Sequence, residues 1–398
     1  MFTTHKKNNK CINKLSSEKC IGCLSCVVSC PQRAIDIKYN KHGFWIPNVN
    51  YSKCISCQMC ILHCPVLQSP VLSNRPHYPI KTKVAQWNND DKRLNCASGG
   101  IFSAIAEWFI KEEKAIIFGA KLNEDFDLEH VPLDKIASIK NIQKTKYIQS
   151  NIKNALSETK KALERKQTVL WSGTPCQIAA LKSFLGKNYS TLWTIDLICM
   201  GIPSPAIFKQ YIKEESALLQ SEIIDFSFRN KDFGWESNAV KISLKNGSIL
   251  REKASKNTFM QAIPFIIRDC CYQCQYKGLL RQGDLTIGDF WGIEHYAPQW
   301  NDSKGTSVVL INTERGEQLF SKLTTIKSDD VPLEWVFRKN PYLKTSIDKN
   351  IRMEKFYRLI KNHSVKETVQ KCNIPYSFLE RIKWSINRKL TRLKLNKG

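Results

Sequence analysis

Long apolar runs are missing from this sequence of 398 residues. No stretch of about 18 consecutive apolar residues occurs, so we predict no membrane-spanning helix. The N-terminus, MFTTHKKNNKC, is charged and lacks the apolar segment of a secretory signal peptide, so we expect a cytoplasmic protein. Histidine is also scarce. The seven residues are scattered and show no pattern of a histidine metal site or a catalytic triad.

Acidic residues are few relative to basic ones, 36 against 61, and the formal net charge is +25. The basic residues are spread along the chain and no nucleic-acid-binding module is recognisable, so we expect no nucleic-acid partner. The candidate partners are an acidic redox protein, an anionic membrane surface or a phosphorylated substrate. The hydrophobic content of 42% and the ten tryptophans indicate a globular protein, and the length predicts two or three domains.

Sixteen cysteines are present, and eight of them lie in two copies of one pattern between Cys20 and Pro65. The copies read CIGCLSCVVSCP and CISCQMCILHCP. Each is a C-x-x-C-x-x-C-x-x-x-C-P run, typical of bacterial two-cluster ferredoxins, in which the fourth cysteine binds the other cluster. We therefore predict two [4Fe–4S] clusters, one bound by Cys20, Cys23, Cys26 and Cys64, the other by Cys54, Cys57, Cys60 and Cys30.

Zinc and disulfides are the alternatives for these eight cysteines. Structural zinc uses pairs of ligands rather than triplets followed by C-P, and disulfides need an oxidising compartment. Between the two copies, AIDIKYN and GFWIPNV predict short strands around a turn at residues 40–43.

Four further cysteines form a second candidate metal site. The sequence predicts a βαβ unit with parallel strands at 168–173 and 192–201. Cys176 follows the first strand and Cys199 ends the second, so both are expected at the carboxyl edge of the sheet, where ligands bind. Cys271 and Cys274 form a C-x-x-C pair that can add two thiolates. A third [4Fe–4S] cluster, a zinc ion and buried cysteines without metal are the alternatives.

The remaining cysteines, Cys11, Cys96, Cys270 and Cys372, show no partner pattern, although Cys270 could take the place of Cys271 as a ligand.

The segment CASGGIFSAIAEWF predicts a helix with Ser98 as its N-cap. Its apolar stripe is Ile101, Ile105, Trp108 and Phe109. Gly99 and Gly100 allow the backbone to approach a ligand closely, and the free N–H groups of a helix start favour a phosphate. A tight turn that serves packing alone is the competing interpretation.

Several stretches between residues 90 and 310 resemble the coenzyme F-420 hydrogenase/dehydrogenase beta-subunit family. They are SGGIFSAIAEW, KYIQS, WSGTPCQIAALKSFL, DLICMGIPSP, FRNKDFGW, CCYQCQYKGLLRQGDLTIGDFWGI and KGTSVVLIN. With the paired cysteine motifs, the resemblance covers residues 15–325. The chain looks like the branch associated with polysaccharide biosynthesis. Met200 stands where relatives often carry His after DLIC, which puts a His-dependent proton transfer there in doubt.

The resemblance implies an FAD bound between the two halves of an α/β domain. It implies flavin phosphate contacts from Ser98, Gly99 and Gly100. The flavin-facing positions that it implies are Lys146, Tyr147, Gln149 and Ser150, with Thr174 and Asp289 as further candidates. A lysine such as Lys146 suits a diphosphate and also a reduced, anionic flavin ring. No catalytic residue is predicted.

The predicted fold is α/β (α+β overall) in four parts. They are a ferredoxin-type two-cluster domain at 11–70, an N-terminal beta-subunit region with the flavin phosphate site at 80–160, a C-terminal region at 165–325 and a basic helical tail at 326–398. The proline-rich residues 66–86 predict a linker. In the tail, the stripe Ile382, Ile386, Leu390 and Leu393 predicts a helix docked on its own domain or lying on the anionic inner face of a membrane.

The leading functional hypothesis is an iron–sulfur flavoprotein oxidoreductase. Electrons would pass between the clusters and FAD, for reduction or oxidation of a small substrate or a deazaflavin. The alternative is an electron-transfer subunit that serves a separate partner enzyme and has no substrate of its own. A regulatory module with structural or redox-sensing clusters is a third class.

Overall fold

The computed structural model describes residues 10–68 and 78–373. The helices are α1 Ser25–Val28, α2 Met59–Leu62, α3 Asp90–Leu94, α4 Ile101–Glu112, α5 Ile139–Ile142, α6 Lys153–Glu164, α7 Pro175–Leu185, α8 Pro205–Leu218, α9 Thr258–Ala262, α10 Ile293–Tyr296, α11 Glu314–Ser321, α12 Leu333–Lys339, α13 Met353–Leu359 and α14 Val365–Cys372. The strands are β1 Ile35–Tyr39, β2 Trp45–Val49, β3 Lys81–Trp87, β4 Ile116–Leu122, β5 Leu128–Leu133, β6 Val169–Gly173, β7 Leu192–Leu197, β8 Ile223–Asn230, β9 Ala239–Leu244, β10 Ile249–Lys253, β11 Leu285–Asp289, β12 Ser307–Ile311 and β13 Ile326–Asp330.

The two cysteine motifs fold into the same backbone shape. Gly22 and Ser56 occupy equivalent positions of the two motifs, and both have a left-handed conformation, with φ of 67° and 56°. Leu24 and Gln58 are also equivalent, each has φ of 63°, and each precedes a one-turn helix, α1 or α2. Two left-handed residues between three cysteines curl the chain, so that the three thiols can face one point.

The hairpin predicted between the motifs is confirmed. Strands β1 and β2 pair antiparallel, from Ile35 opposite Val49 to Tyr39 opposite Trp45. The turn is held by Asn40, whose side-chain oxygen accepts from the backbone N–H groups of His42 and Phe44 at 3.0 Å each.

A mixed eight-stranded sheet forms the centre of the molecule, in the order β13-β3-β12-β11-β7-β6-β4-β5. Strands β11, β7, β6 and β4 are parallel neighbours. Strand β12 is antiparallel to both β11 and β3, so β3 points the same way as the parallel group. The carboxyl ends of these five strands therefore lie along one edge of the sheet, which we call the carboxyl edge.

The predicted βαβ unit is confirmed, with β6 and β7 parallel and α7 between them. Helix α7 has Pro175 at its first position, and Thr174 and Gln177 form a reciprocal capping box. It ends at Gly186, which has φ of 69° and accepts the left-handed conformation of a C-cap at little cost. These local signals are strong, which explains why the element could be placed from sequence.

The start of α4 differs from the prediction. Its N-cap is Gly100, with φ of 83°, rather than Ser98. The Ser98 hydroxyl instead donates to the main-chain oxygen of Thr306 at 2.9 Å. The apolar stripe faces the core as expected: Ile101, Ile105 and Phe109 are buried, and Trp108 is partly buried.

A second, three-stranded sheet, β10-β9-β8, encloses an aromatic core with α8 and α9. The rings of Phe208, Phe226, Phe228 and Phe259 pack there at centroid separations from 4.8 to 6.0 Å. Helices α13 and α14 belong to the same core, through Phe356 and Val369 among others.

The segment predicted as a basic tail begins inside the central sheet, since β13 starts at its first residue, 326. The apolar stripe predicted at 382–393 and residues 69–77 of the predicted linker lie outside the described residues. The linker prediction was wrong for residues 81–86, which form most of β3 because they pair with β12 and β13. In the described part of the chain, no helix is long and apolar enough to cross a membrane.

Candidate functional site

Cys20, Cys23, Cys26 and Cys64 lie together, and we call them the inner set. Burial raises the pKa of the Cys26 thiol well above its ordinary value, and the neighbouring Cys23, Cys20 and Cys64 raise it further. The same causes, burial first and then Cys64, raise the pKa of Cys23 to about 12. Four crowded, buried thiols are poor thiolates by themselves, and a bound cationic group would be needed to keep them ionised.

The other four cysteines of the paired motifs, Cys30, Cys54, Cys57 and Cys60, line one pocket together with Cys11, and we call these four the outer set. The backbone N–H of Ala34 donates to Cys30 Sγ at 3.3 Å. Cys57 is exposed, as are the neighbouring side chains of Ile55 and Leu62, at 61% and 55%. The outer set therefore lies at the protein surface, in contrast to the inner set.

Cys176, Cys199, Cys271 and Cys274 also come together, and we call them the sheet-edge set. Burial raises the pKa of the Cys176 thiol well above its ordinary value, and Cys274, Cys199 and Cys271 raise it further. The hydroxyl of Thr174 lies 3.1 Å from Cys176 Sγ. Cys199 lies two residues beyond the end of β7, rather than inside the strand as predicted, because β7 ends at Leu197.

The spacing within these sets is not that of a single metal ion. Within residues 10–68 and 78–373, no three His, Cys, Asp or Glu side chains converge closely enough to hold one. A four-iron cube separates its thiolates more widely than a zinc ion does. Cys270 hydrogen-bonds to Cys271, whereas Cys271 is the residue that acts on Cys176 and Cys199.

The buried side chain of Tyr276 lies between the inner set and the sheet-edge set. Burial raises the pKa of its phenol, and Cys176, Cys23 and Cys64 each raise it further. Gln275 Nε2 donates to the phenol oxygen at 2.8 Å, and the backbone N–H of Tyr276 donates to the Cys274 thiol. One ring thus borders two groups of cysteines that are far apart in sequence.

The Ser98–Gly100 turn packs tightly at the carboxyl edge. A Cβ on Gly99 would lie 2.6 Å from the main-chain oxygen of Ala85 and 2.7 Å from the main-chain nitrogen of Ser307. The Gly99 N–H already donates to Ser307 Oγ at 3.0 Å. Packing against β3 and β12 is therefore sufficient reason for the glycine at this position.

Residues 144–150 form a loop that joins several parts of the site. Lys146 Nζ donates to the main-chain oxygen of Gln143 at 2.7 Å, and burial lowers its pKa to about 7. Ser150 Oγ lies 2.7 Å from Nδ1 of the buried His130. Gln149 Nε2 donates to the main-chain oxygens of Ile21 and Gly22, at 3.1 and 3.3 Å. The loop therefore contacts the inner cysteine motif directly.

Asp289 ends β11 at the carboxyl edge and is ion-paired with Arg229, with Nη2 2.8 Å from Oδ1. Tyr147 hydrogen-bonds to the same guanidinium, and burial raises the pKa of its phenol. The stacked rings of Trp235 and Trp291, 4.9 Å apart, adjoin this pair: Trp235 Nε1 donates to Asp289 Oδ1, and the Arg229 guanidinium lies 5.2 Å from the Trp291 ring centroid.

Two half-buried lysines complete a basic region around this pair. Lys231 Nζ donates to the main-chain oxygens of Arg93, Ser98 and Lys304, and burial lowers its pKa to about 8. Lys144 Nζ donates to Asn230 Oδ1 at 2.7 Å.

Sequence reasoning did not single out several of these residues: Lys144, Arg229, Lys231, Trp235, Tyr276 and Trp291. Three of them lie in the stretch FRNKDFGW, which contributed to the sequence interpretation only through its family resemblance. The signal available in the sequence was the close spacing of Arg229, Lys231 and Trp235 in that stretch.

Residues 166–329 match the family model that describes the C terminus of the beta subunit of coenzyme F420 hydrogenase/dehydrogenase. Residues 19–67 match the 4Fe-4S dicluster domain. The C-terminal part of the chain thus matches this beta-subunit family, and a dicluster domain lies in front of it. The resemblance read from the sequence is thereby confirmed, and the dicluster domain accounts for two [4Fe–4S] clusters in an electron-transfer protein.

Among solved structures, the chain is similar to a chain of the xenon-derivatised F420-reducing [NiFe] hydrogenase complex from Methanosarcina barkeri. The identity is 17%, the match covers 74% of this chain and 91% of that chain, and the TM-score is 0.46. A comparison with curated proteins gave no match.

Proposed function

We propose that the chain is an iron–sulfur flavoprotein oxidoreductase in which electrons pass between the outer set, the inner set, the sheet-edge set and a flavin at the carboxyl edge. The observation that carries this proposal is the position of Tyr276, whose buried ring borders Cys23 and Cys64 of the inner set and Cys176 of the sheet-edge set. Clusters bound by the two sets would lie on either side of this ring and would form a continuous route for electrons.

We assign the inner and outer sets as the ligands of the two dicluster-domain clusters, and the sheet-edge set as the ligands of a third [4Fe–4S] cluster. Backbone N–H groups already donate to several of these sulfurs, for example from Gly22 to Cys20 at 3.4 Å. Such hydrogen bonds to sulfur are among the factors that set cluster potentials.

The proposed flavin is FAD, which when bound would collect single electrons from the clusters and exchange a hydride with a substrate. The basic groups Lys144, Lys146, Lys231 and Arg229 suit its diphosphate, and Tyr147 offers an aromatic face. The fit of the glycine turn is weaker, because the Gly99 N–H is already hydrogen-bonded to Ser307. We therefore assign diphosphate binding to these basic groups and to the first N–H groups of α4.

The decisive experiment is cofactor analysis of protein reconstituted without oxygen. We expect about twelve iron atoms per chain, as three cubane clusters require, and one FAD. A Cys176→Ala/Cys199→Ala double variant should lose about four iron atoms and keep the other two clusters. A Cys372→Ala variant, which alters a buried thiol outside all three sets, is the control. Iron without any flavin would refute the flavoprotein assignment.

The second candidate is an electron-transfer subunit that serves a separate enzyme. The exposed Cys57, Ile55 and Leu62 favour protein–protein electron exchange at the outer set. No acidic residue lies between Trp45 and Gln68, so an acidic one-electron carrier is the partner that this surface suits. Turnover of a small substrate or deazaflavin by the purified chain alone separates the two candidates.

The cellular setting that we propose is the cytoplasm, with a role in polysaccharide biosynthesis and with contact to the inner membrane face through the basic C-terminal residues. Co-sedimentation of the full chain with anionic vesicles, compared with a chain that ends at residue 377, tests the membrane contact.

A further inference from the structure

Arg268 is a buried cation with an unusual set of partners. Its side chain is 2% exposed. Nε donates to the main-chain oxygen of Cys20 at 2.7 Å, Nη1 donates to Gln149 Oε1 at 2.8 Å, and Nη2 donates to the main-chain oxygen of Trp45 at 3.2 Å. All three acceptors are neutral. In the part of the chain that the structure describes, no carboxylate forms a salt bridge with this guanidinium.

Three other buried arginines are neutralised by carboxylates. Arg229 pairs with Asp289, Arg281 with Asp196, and Arg93 with Asp90 and Asp302. A guanidinium held away from water without an opposite charge is costly, so a fold that keeps one there must supply a countercharge. The carboxylate of the next residue, Asp269, is paired with His42 and Lys349. The remaining groups near Arg268 that can carry negative charge are the cysteine sets.

Arg268 touches both of the buried sets through the backbone. Its side chain binds the carbonyl of Cys20, an inner-set residue. Its own main-chain oxygen accepts from the N–H of Cys271, a sheet-edge residue, at 3.0 Å. The ring of the buried Phe44 covers the guanidinium at 5.1 Å and excludes water. In such a low-dielectric position a fixed charge acts strongly on its neighbours.

We propose that Arg268 is the fixed countercharge of the inner cluster and raises its reduction potential relative to that of the outer cluster. Reduction of a four-thiolate cube adds one electron, and its negative charge grows by one. A nearby guanidinium stabilises the more negative, reduced form, so the potential rises. The outer set makes no contact with Arg268 among the described residues, and its exposed Cys57 is screened by water. Electrons that enter at the outer cluster are therefore drawn inward.

This inference rests on the proposed assignment of Cys20, Cys23, Cys26 and Cys64 to one cube. The test is a potentiometric titration with dithionite, followed by EPR, of the full chain and its Arg268→Gln variant. We expect the inner signal to shift to lower potential by at least a tenfold change in the reduction equilibrium, about 59 mV for one electron. The outer signal should stay unchanged. A Cys57→Ala variant, which lacks an outer ligand, identifies the outer signal, and the Cys176→Ala/Cys199→Ala variant identifies the signal of the sheet-edge set.

Three further variants keep the test decisive. Arg268→Lys retains the charge and should keep the inner potential near that of the parent. Arg93→Gln removes a buried arginine that is already neutralised and should leave both cluster potentials in place. If Arg268→Gln fails to load iron, Gln149→Glu places a carboxylate against the guanidinium and should lower the inner potential instead.

An unchanged inner potential in Arg268→Gln, or an equal shift of both signals, would overturn the inference while leaving the cluster assignment intact. The absence of two cluster signals in the parent protein would instead refute the assignment on which it rests.

Discussion

The carboxylate of Asp289 accepts hydrogen bonds from both terminal nitrogens of Arg229 across the end of β11. The two side chains are 15% and 4% exposed, so the pair is almost fully withdrawn from water. Asn340 Nδ2 donates to the main-chain oxygen of Asp289 at 3.0 Å and helps to fix the strand end. This ion pair connects β8 to β11, and Tyr147 joins it to the 144–150 loop through a hydrogen bond to Arg229. These contacts fix the shape of the proposed flavin site.

Asp289→Ala should therefore destabilise the protein strongly, because it leaves the Arg229 guanidinium buried without a counterion. We expect the free energy of unfolding to fall by about 3–5 kcal/mol, measured by urea denaturation of the flavin-free protein. Glu222→Ala is the matched control, since it breaks the exposed ion pair with Lys245 and should have little effect. Equal losses in the two variants would contradict the prediction.

A second prediction concerns Gly22, which has φ of 67° and faces the inner set's supporting side chains. A Cβ there would lie 2.5 Å from Gln149 Nε2 and 2.7 Å from Arg268 Nη1. Gly22→Ala should displace both side chains and lower the iron content of the inner set. Gly186→Ala has nearly the same φ, 69°, with no atom within 4 Å, so it measures backbone strain alone, about 1–2 kcal/mol. Iron loading that is identical in the two variants would show that the contacts are unimportant.

The third prediction is a pH dependence from Lys146, whose pKa is lowered to about 7 by burial and by the charge of Lys144. Above pH 7 the folded lysine is largely neutral, whereas the unfolded lysine still binds a proton. The unfolded state then holds more protons, so stability rises with pH, by up to about 1.4 kcal/mol per unit. Lys146→Met should reduce this slope between pH 7 and about 8.5. We choose this window because it lies below the ordinary pKa of a cysteine thiol. A Lys160→Met variant, which alters an exposed lysine, should keep the same slope of stability against pH.

The urea midpoint of flavin-free protein at several pH values within that window is the measurement. Lys231, whose pKa is lowered to about 8, contributes in the same direction, so a residual slope is expected in the Lys146 variant. A slope that does not change on substitution would mean that Lys146 is not held neutral in the folded state.

The fourth prediction addresses electron entry at the outer set. Lys53 is exposed next to Cys54, and an acidic one-electron carrier should be attracted to this surface. Stopped-flow reduction by such a carrier should slow as ionic strength rises and should slow several-fold in Lys53→Glu. Lys245→Glu, an exposed lysine on β9–β10, is the control. A rate that salt does not change would exclude electrostatic docking there.

Local patterns made much of the fold predictable. The βαβ unit was recognisable because Pro175, the Thr174–Gln177 capping box and Gly186 mark both ends of α7. The paired motifs predicted the grouping of cysteines because the spacing itself dictates the turns. The predicted Ser98 cap was wrong because the carbonyl of Thr306, far along the chain, competes for the same hydroxyl.

Long-range contacts could not be predicted from local sequence patterns. Arg268 and Cys20 are 248 residues apart, and no local pattern marks their hydrogen bond. The ion pair of Arg229 with Asp289 spans 60 residues, and Lys231 donates to the carbonyls of Arg93, Ser98 and Lys304, all far from it in sequence. Such partners depend on how sheets and loops pack, which single-sequence patterns do not specify.

Hydrogen bonds from Gln149 to Ile21 and from Arg268 to Cys20 and Trp45 hold the dicluster module against the rest of the protein, so it does not swing as a tethered shuttle. Internal electron hops then cross a gap of constant width, and their speed depends on that width and on driving force. A higher solvent viscosity, produced with glycerol, would slow electron transfer by a swinging carrier, but it would not change the rate of electron transfer between fixed centres.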